Sequence, residues 1–361
     1  MIRVLHVVTS LAATGVPTLL YSYYSKMNRD EVHFDFVAIP SKVKHIYKEK
    51  FEDLGCSVYY MPKKYIGRIS FLYNIIRNGH YDIVHSHIEL ASAVYLSIAK
   101  LAGIKVRIAH AHMAFLPYPK LYHKCLRFLL NRVATQRMGC SVDALKSLFG
   151  NDNGIVLHNA IDLQRFGFRP SVRKQYRSEL QLEDKLVVGV VGRFTRQKNV
   201  FYILDIFSSL LKKRKNAILL IIGDGELKEA FFEKAKLLGV YDSIKYLGPR
   251  NDVPALMMAM DCLLVPSLWE GLGIVLIEAQ ASALKCFTSR FTVPYEDTKV
   301  SSYIEYLDIN DNPEIWANAI DKEAIDYERN IIPELLRKAH YDISLERNTL
   351  YNIYYEALQN K

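Results

Sequence analysis

The sequence predicts an α/β protein built from two doubly wound, Rossmann-like domains. Short apolar segments of strand length alternate with longer segments of helix length, first over residues 1–111 and again over residues 186–288. This alternation is typical of parallel sheets that carry helices on both faces. The chain has 361 residues, which is too long for one ordinary hydrophobic core and about right for two.

The first half of the chain contains strand-like segments that are continuous apolar runs. Strands buried on both faces of a parallel sheet have this composition. The predicted strands are Val4–Thr9, Phe34–Ile39, Ser57–Met61, Ile83–Ser86 and Val106–Ala111. The predicted helices between them are Thr18–Met27, Tyr47–Leu54, Ile69–Asn78 and Ala91–Ala102, and the loop Ser10–Pro17 follows the first strand.

The second half repeats the pattern. Its predicted strands are Leu186–Val191, Ala217–Ile222, Ile244–Leu247, Cys262–Val265 and Lys285–Thr288. Its predicted helices are Asn199–Lys212, Leu227–Leu238, Val253–Met260 and Gly273–Ala283. The join falls within Asn159–Gln181, where turn residues and charges replace the apolar pattern. We therefore predict domains over residues 1–165 and 166–340, followed by a C-terminal segment over residues 341–361.

The positive charge of the chain is concentrated in its first half. The net charge is +9, and residues 1–160 contain 20 Lys and Arg against 10 Asp and Glu. This skew suggests an anionic partner such as membrane headgroups, a phosphorylated acceptor or nucleic acid. A solvated basic surface is the alternative. The segment Phe115–Leu148, with Tyr118, Lys124, Arg127 and Arg132, is either an amphipathic membrane-facing surface or two ordinary helices.

Several other classes of protein do not fit. The longest apolar runs have the length of a strand and fall far short of the ~20 residues that span a bilayer. The N-terminal segment lacks the features of a signal peptide, and we interpret it as the first strand. The five cysteines form no Cys-x-x-Cys pair, so neither a disulfide framework nor a zinc site is expected. A cytoplasmic location is the simplest expectation.

The strongest functional pattern is the segment Pro266–Gln280. A predicted strand runs into a loop with Glu270, Gly271 and Gly273, and a helix that contains Glu278 follows. Glycines let a backbone approach a ligand closely, and free N–H groups at a helix start favour anions. Two carboxylates, one in the loop and one in the helix, can hold two hydroxyl-bearing parts of an extended ligand. A generic glycine turn with a surface glutamate is the alternative interpretation.

Two further loops of the second half carry candidate ligand-binding residues. After the strand Leu186–Val191 come Gly192, Arg193 and Lys198, two cations suited to phosphate oxygens. A solvent-exposed basic loop is the alternative. After Ala217–Ile222 come Gly223 and Gly225, which do not form the Gly-x-Gly-x-x-Gly fingerprint of dinucleotide-binding proteins.

In the first half, candidates follow three of the predicted strands. Gly15 lies in the loop after the first strand. His85 and His87 end one later strand, and His110 and His112 end another. Neutral histidine can donate or accept a proton near physiological pH, although most histidines in such positions are structural. Histidines at two strand ends favour a site at this edge.

The segment Pro-Ser-x-x-Glu-Gly-x-Gly, with Glu270 and Glu278 eight residues apart, resembles the signature of the retaining glycosyltransferases of family 4. That family has the GT-B fold, in which two Rossmann-like domains face each other across a cleft. The resemblance extends over nearly the whole chain and is strongest over residues 186–290. It is closest to bacterial transferases that build capsular or exopolysaccharide. It implies that the C-terminal segment, residues 341–361, forms a final helix over Tyr341–Leu358 that crosses back to the first domain.

The resemblance also implies roles for individual residues. Glu270 contacts the hydroxyls of the donor sugar, and Glu278 holds the ribose. Arg193 and Lys198, after Gly192, bind the diphosphate. His110 or His112 lies beside the transferred sugar, and these two histidines with Glu270 are the candidate catalytic residues. The remaining donor contacts are the amides of Gly271, Leu272 and Gly273, the loops at Gly223 and Gly225, Arg250 near the base, and Gly15, where the family has two adjacent glycines and this chain has one.

The implied activity is transfer of a hexose or N-acetylhexosamine from a nucleotide sugar, with a UDP-sugar as the expected donor. The acceptor would be a saccharide or a polyprenyl-diphosphate-linked sugar on the inner face of the plasma membrane, met through the basic first domain. No cofactor and no metal ligand are expected, because the chain contains no Asp-x-Asp pair that would hold a metal on the diphosphate. Nucleic acid is not an expected partner.

Three alternatives compete with this interpretation. A GT-B sugar-nucleotide epimerase shares the architecture and needs no acceptor. A nicotinamide-dependent oxidoreductase requires a Gly-x-Gly-x-x-Gly loop after the first strand, which Ser10–Pro17 does not supply. A basic nucleic-acid-binding protein would explain the charge of the first half but not the glutamates and glycines of the second.

Overall fold

The computed structural model describes residues 1–12, 15–40, 45–114, 120–324 and 327–360. The chain divides into two compact units. The first unit comprises Met1–Ile161 and His340–Lys361, and the second comprises Asp162–Ala339. The junction lies between Ile161 and Asp162, a few residues before the predicted one, and the C-terminal segment groups with the first unit.

Strands and helices alternate along both units. The strands of the first unit are β1 (Ile2–Val8), β2 (Val32–Ala38), β3 (Val58–Tyr60), β4 (Ile83–Ser86), β5 (Val106–Ala111), β6 (Gln136–Gly139) and β7 (Ile155–Val156). Those of the second are β8 (Leu186–Val191), β9 (Ala217–Ile222), β10 (Ile244–Gly248), β11 (Cys262–Val265), β12 (Lys285–Ser289) and β13 (Ile304–Leu307).

The α-helices fall into the same two groups. Those of the first unit are α1 (Gly15–Tyr24), α2 (Ile46–Glu52), α3 (Tyr65–Gly79), α4 (Ser92–Leu101), α5 (Lys120–Val133), α6 (Val142–Phe149), α16 (Ile343–Glu346) and α17 (Thr349–Gln359). Those of the second are α7 (Leu163–Phe166), α8 (Pro170–Glu179), α9 (Val200–Lys213), α10 (Lys228–Leu237), α11 (Val253–Ala259), α12 (Ile274–Ala281), α13 (Tyr295–Thr298), α14 (Pro313–Glu323) and α15 (Pro333–Lys338).

Each unit is organised around one parallel sheet. The strand order is β3-β2-β1-β4-β5-β6-β7 in the first unit and β10-β9-β8-β11-β12-β13 in the second. In both sheets the first strand of the unit lies in the interior, and later strands are added on either side of it. This is the doubly wound arrangement. The predicted fold class is therefore confirmed.

Three strands were missed by the sequence prediction. Strand β6 contains the polar residues Gln136 and Arg137 and separates the two helices expected within Phe115–Leu148. Residues 115–119 of that segment lie outside the described part of the chain. Strand β7 has two residues. Strand β13 lies at a sheet edge and alternates buried with half-buried residues. None of them is a long continuous apolar run, which is the signal that identified the central strands.

Two predicted boundaries were wrong. Helix α1 begins at Gly15, within the predicted loop Ser10–Pro17, and so includes Pro17. A proline is tolerated in the first helical turn because the N–H that it lacks would have no hydrogen-bond partner within the helix there. The single C-terminal helix is two helices, α16 and α17. Asp342 caps the first by accepting a hydrogen bond from the Ser344 N–H at 2.9 Å.

The C-terminal helix α17 completes the core of the first unit. Leu350 and Tyr354 are fully buried and belong to the same apolar cluster as Phe34 of β2. The rings of Phe34 and Tyr354 meet edge to face, with their centroids 6.0 Å apart. Because these contacts join the end of the chain to its second strand, residues 340–361 are an integral part of the first unit.

A carboxylate directly before β11 holds helix α8 to the sheet of the second unit. Asp261 accepts hydrogen bonds from Arg173 at 2.5 Å, from Arg177 at 3.2 Å and from the Val187 N–H at 2.7 Å. Arg177 is only 9% exposed. The carboxylate therefore neutralises the buried Arg177 cation and accepts a hydrogen bond from a backbone N–H near the start of β8.

We predict that Asp261→Asn lowers the free energy of unfolding by about 2–4 kcal/mol, because it leaves the Arg177 charge buried without a counterion. Denaturant unfolding followed by circular dichroism measures this loss. The matched control is Asp242→Asn at an exposed position, where a change below about 0.5 kcal/mol is expected. Equal stabilities of the two variants would contradict the proposed role of Asp261.

Candidate functional site

In the second unit, three loops that carry predicted site residues are neighbours. Strand β8 lies between β9 and β11, and all strands of a parallel sheet end at the same edge. The loops after these strands carry Gly192, Gly223 and Glu270, respectively. Ligands of doubly wound sheets bind at this carboxyl-terminal edge. The fold thus places the main sequence candidates of the second unit at one edge.

The glycine loops after β8 and β9 pack backbone against backbone. A Cβ atom on Gly223 would lie 1.9 Å from the carbonyl oxygen of Gly192, and one on Gly225 would lie 2.6 Å from that of Phe194. The Phe194 N–H also donates a hydrogen bond to the Asp224 carbonyl at 3.0 Å. Gly223 and Gly225 therefore have a packing role that requires glycine. Their predicted contact with the nucleotide stays a prediction.

Glu270 and Lys198 form an ion pair at this edge. Lys198 Nζ lies 2.5 Å from Glu270 Oε1, and Glu270 is only 5% exposed. The loop after β8 also reaches Glu270 through Gln197 Nε2, 3.4 Å from Oε2, and the Glu270 N–H donates to the Thr292 carbonyl at 2.9 Å. The structure thus brings together two residues that the sequence placed in separate loops. The pair presents one cation and one carboxylate within reach of the same ligand.

Arg193 differs from Lys198 in having no partner. Its side chain is exposed, and within the described ranges its guanidinium makes no hydrogen bond or ion pair. It follows Gly192, whose φ of 155° lies outside the range that other residues readily adopt. An unpaired guanidinium beside a glycine turn is available for an anionic ligand.

Helix α12 carries the second carboxylate of the motif. The helix follows Gly273, which has a φ of 78°, and Leu272 beside it is buried. Glu278 is half-buried, and burial raises its pKa to about 7, against a smaller opposing effect of Arg165. Among the residues that the structure describes, none forms a hydrogen bond to its carboxyl group. Such a group is poised to accept hydrogen bonds from a ligand.

Arg250 is engaged within the protein. Its Nε and Nη2 atoms donate to the two oxygens of Asp252 at 2.8 and 2.6 Å. This bidentate contact lowers the pKa of Asp252 to about 2, and Tyr176 donates a further hydrogen bond to the same carboxylate. The predicted contact of Arg250 with the base is untested, and it would have to coexist with this ion pair.

In the first unit, five histidines from three adjacent strands form one buried cluster. Strand β1 lies beside β4, and β4 lies beside β5. His6, His85 and His110 are fully buried, His87 is 3% exposed, and His112 is half-buried. Four of these residues are candidates from the sequence, and His6 is not among them. The signal that could have identified it is the position of a histidine within the apolar run of the neighbouring central strand.

Two hydrogen-bonded series run through the cluster. In the first, His6 Nδ1 lies 3.0 Å from His87 Nε2, and His87 Nδ1 lies 2.9 Å from His112 Nε2. The backbone N–H of His112 donates to Glu89 Oε1 at 2.8 Å. Glu89 is buried, and its burial raises the pKa of the carboxyl group to about 8. The glutamate is therefore mainly protonated at neutral pH.

The second series connects the strands to the C-terminal helix. The hydroxyl oxygen of Tyr354 lies 2.8 Å from His85 Nδ1, and His85 Nε2 lies 3.2 Å from His110 Nδ1. His110 Nε2 is buried and has no partner among the residues described. The tyrosine was not a sequence candidate, because 269 residues separate it from His85.

Burial keeps all five histidines neutral. It lowers the pKa of His6 and of His112 to about 3, and it holds the pKa values of His85, His87 and His110 well below their usual range. Of the two histidines that the sequence left undecided, His112 follows the end of β5 and retains exposed surface, whereas His110 lies fully inside. His112 is thus the better placed of the two to meet a ligand.

The loop at Gly15 is only partly described. Gly15 is the first residue of α1, and a Cβ atom there would meet nothing within 4 Å. Ala13 and Thr14, which complete the predicted glycine-poor loop, lie outside the described residues. The role of Gly15 at the diphosphate stays a prediction.

Three neighbouring helices of the first unit expose apolar and basic side chains. Helix α4 packs against both α3 and α5. We call their outer surface the apolar helix face; its exposed apolar residues are Tyr65, Ile66, Ile69, Tyr73, Val94, Leu101, Leu121, Tyr122, Phe128 and Leu129. Exposed lysines and arginines accompany them, namely Lys63, Lys64, Lys100, Lys124 and Arg132.

One residue predicted for a membrane-facing surface, Arg127, has other surroundings. Arg127 is half-buried and donates to the carbonyl groups of Leu148 and Ser147. Tyr118 lies outside the described residues. Over the part of the chain that the structure describes, no helix combines the length and apolar character needed to cross a membrane.

The two doubly wound units, with the glutamate and glycine loop at the carboxyl edge of the second sheet, define a glycosyltransferase of the GT-B type. A family model described as "Glycosyl transferases group 1" matches residues 172–330. The protein EpsF of Bacillus subtilis, named as a glycosyltransferase, is 30% identical over 98% of this chain and 96% of its own length. The chain belongs to the group 1 glycosyltransferases.

Other similar proteins agree with this assignment. The capsular polysaccharide biosynthesis glycosyltransferase CapH of Staphylococcus aureus is 25% identical over 89% of this chain and 90% of its own length. An Escherichia coli UDP-Gal:α-D-GlcNAc-diphosphoundecaprenol α-1,3-galactosyltransferase is 29% identical over 60% of each chain. The structure of Anabaena HepE in complex with UDP superposes with a TM-score of 0.79 at 18% identity, over 98% of this chain and 100% of HepE.

We predict that the first unit loses stability as the pH falls below about 7. An unfolded histidine has a pKa near 6.5, so the unfolded chain binds protons that the five buried histidines do not. Each such histidine contributes up to about 1.4 kcal/mol per pH unit between 6.5 and its folded pKa. The raised pKa of Glu89 acts in the opposite direction for one proton. Urea unfolding at pH 7.5, 6.5 and 5.5 measures the net slope.

The histidine variants separate this cause from general acid effects. His6→Asn should reduce the slope by about one proton, whereas His80→Asn at an exposed position should leave it unchanged. A free energy of unfolding that stays constant or rises between pH 7.5 and 5.5 would show that the buried histidines are not neutral.

Proposed function

We propose that the protein is a retaining glycosyltransferase that moves a hexose or N-acetylhexosamine from a UDP-sugar to a lipid-linked or saccharide acceptor in capsular or exopolysaccharide biosynthesis. The observation that carries the proposal is the joint placement of Lys198, Glu270 and Arg193 in loops at one edge of the second sheet, with Glu278 on the helix α12 that follows. HepE binds UDP and UDP-glucose in its solved complexes, which supports the choice of nucleotide. The names of CapH and of the E. coli galactosyltransferase support the pathway and a diphosphoundecaprenol-linked acceptor.

The charges of the second unit suit a sugar nucleotide. Arg193, which has no partner in the described ranges, can bind the diphosphate, and Lys198 can donate to a phosphate oxygen while it stays beside Glu270. The amides of Gly271 and Gly273 at the start of α12 would add further donors. These groups would stabilise the leaving diphosphate without a metal ion, and one such donor typically contributes 10²–10³-fold to the rate.

The two glutamates would hold different parts of the donor. Glu278 has a carboxyl group without a hydrogen-bond partner among the residues described, which suits the vicinal hydroxyls of a ribose. Glu270 is buried and fixed by Lys198 and by its backbone contact with Thr292, which suits the orientation of the sugar ring. Neither glutamate is proposed as an attacking nucleophile. The leaving phosphate itself would help to deprotonate the acceptor hydroxyl.

In the first unit, His112 is the histidine proposed to approach the donor sugar. Its ring is held by His87 through a 2.9 Å contact, and its backbone N–H is held by Glu89. A neutral imidazole at this position can donate or accept a hydrogen bond without adding charge. His110 would act as a positioning residue for the cluster, since it is fully buried.

The apolar helix face is proposed to bind the inner, anionic surface of the plasma membrane. Exposed Tyr, Ile, Leu and Phe side chains combined with lysines are the composition that inserts shallowly into anionic lipid. The surface lies on the same unit that carries the excess positive charge. A membrane-bound transferase would meet a polyprenyl-linked acceptor where that acceptor resides.

Two rival functions make different predictions. A GT-B epimerase would convert a UDP-sugar without any acceptor. A nucleic-acid-binding protein would bind duplex DNA with an affinity that falls steeply with salt and would not bind UDP. A donor-hydrolysis screen over a panel of sugar nucleotides, with UDP and DNA affinities measured beside it, distinguishes the three.

We predict that Glu278→Gln weakens UDP binding by about 10- to 100-fold, because it removes a charged acceptor from the ribose. Glu270→Gln should leave UDP binding within about threefold and reduce turnover and discrimination between donor sugars. Isothermal titration with UDP and donor hydrolysis measure the two effects. Glu233→Gln, an exposed position on α10, is the matched control. Unchanged UDP affinity of Glu278→Gln would refute the assigned site.

We predict that the protein co-sediments with vesicles containing anionic phosphatidylglycerol, that it does not with neutral phosphatidylcholine vesicles, and that added salt weakens the binding. Ile66→Glu on α3 should reduce binding several-fold by repulsion and lost insertion. Leu237→Glu in the second unit is the matched control, since both leucine and isoleucine are 87% exposed. Equal losses for the two variants would exclude the apolar helix face as the binding surface.

A further inference from the structure

Three of the clustered histidines have the arrangement of a metal-binding site. One ring nitrogen from each of His87, His110 and His112 lies within 4.8 Å of the corresponding nitrogens of the other two. His87 and His110 are buried, and His112 is half-buried. Histidine is a common zinc ligand, and three histidines with an open fourth position are a known coordination set.

One distance within this group is close to the separation that a tetrahedral ion requires. Zinc–nitrogen bonds of about 2.0–2.1 Å place tetrahedral ligand nitrogens about 3.3 Å apart. His87 Nδ1 and His112 Nε2 are 2.9 Å apart, so a shift of a few tenths of an ångström would admit an ion between them. His110 Nε2 is buried without a hydrogen-bond partner in the described ranges. It supplies a third ligand nitrogen in the tautomer that carries its proton on Nδ1, the nitrogen that faces His85.

The other ring nitrogens of the buried ligands are already held. His87 Nε2 lies 3.0 Å from His6 Nδ1, and His110 Nδ1 lies 3.2 Å from His85 Nε2. His85 is in turn held by Tyr354 at 2.8 Å. Metal-bound histidines almost always have such a partner on the second nitrogen, which fixes the tautomer and the ring orientation.

A second trio, His6, His85 and His87, also brings one ring nitrogen from each residue within 4.8 Å of those of the other two. It is the weaker candidate because both ring nitrogens of His85 are engaged, with Tyr354 and with His110. Its three residues are also almost completely buried. The trio that includes His112 retains a half-exposed member through which an ion can enter.

We propose that His87, His110 and His112 form a binding site for a zinc-like divalent cation in the first unit, with His87 Nδ1, His110 Nε2 and His112 Nε2 as ligands. The remaining coordination position would be taken by water. His6 and His85 act as positioning residues for the ligands. All three ligands lie in the first unit, and the proposal does not rest on glycosyl transfer. It departs from the sequence-based expectation that the chain carries no metal ligand.

The test uses the full-length protein without a polyhistidine tag, stripped with a chelator and titrated with Co²⁺ and then Zn²⁺. We expect one equivalent of Co²⁺ to give visible d–d absorption of tetrahedral intensity, which Zn²⁺ then abolishes by displacement. His110→Asn and His112→Asn should each remove this absorption. His6→Asn should retain it but weaken the affinity by about 10- to 100-fold, as expected for a partner of a ligand.

The matched control is His80→Asn, which removes an exposed histidine outside the cluster and should leave the Co²⁺ spectrum unchanged. Circular dichroism and UDP titration of every variant show whether its fold is intact. If a variant misfolds, the Zn²⁺ affinity of the parent protein is measured instead, by competition with a chromogenic chelator. Absence of tetrahedral Co²⁺ absorption, or a spectrum that survives in His110→Asn and His112→Asn, would overturn the proposal. UDP binding is measured without metal, so either result leaves the proposed function to be judged separately.

Discussion

The parallel arrangement of the strands is the constraint on which both candidate sites depend. All strands of a parallel sheet point the same way, so every loop that follows a strand emerges at one edge. In the second unit, β8 lies between β9 and β11, which makes the loops after these three strands neighbours although 80 residues separate Gly192 from Leu272 in the chain. The Lys198–Glu270 contact is a direct result of this order. An exchange of strand positions would separate the cation from the carboxylate.

The same constraint gathers the histidines of the first unit, with a different consequence. His6, His85 and His110 lie within neighbouring strands, and His87 and His112 follow the ends of β4 and β5. Polar rings therefore occupy the interior at positions where other doubly wound sheets bury apolar side chains. Burying polar groups is unfavourable unless they are hydrogen-bonded. The two series of imidazole contacts largely meet this requirement, and Tyr354 extends one of them to the last helix.

The sequence predicted the central strands and the loops of the second unit well, because both have local signals. Continuous apolar runs identify β1, β8 and β9, and the spacing of Glu270 and Glu278 identifies the loop and helix after β11. It could not predict contacts between distant segments. The packing of Gly223 on Gly192 and the pair formed by Lys198 and Glu270 depend on strand order. The contact of Tyr354 with His85 depends on where the last helix packs. Short or edge strands such as β6, β7 and β13 were missed because half-buried residues weaken the apolar pattern.

The two sites differ in how their polar groups are satisfied, and this difference indicates how each would respond to a ligand. In the second unit, Arg193 and Glu278 have no partner in the described ranges, so a ligand adds interactions there and breaks few. Lys198 and Glu270 neutralise each other, which keeps a nearly buried carboxylate from standing alone before a donor arrives. In the first unit, most imidazole nitrogens already have partners, so a ligand must replace an existing hydrogen bond. Its binding free energy is then only the difference between the new contact and the one that it replaces. The exceptions in the described ranges are His6 Nε2, His110 Nε2 and the exposed part of His112. Since His6 is fully buried within β1, His110 and His112 are the points at which the histidine cluster can respond to a sugar or to a metal ion.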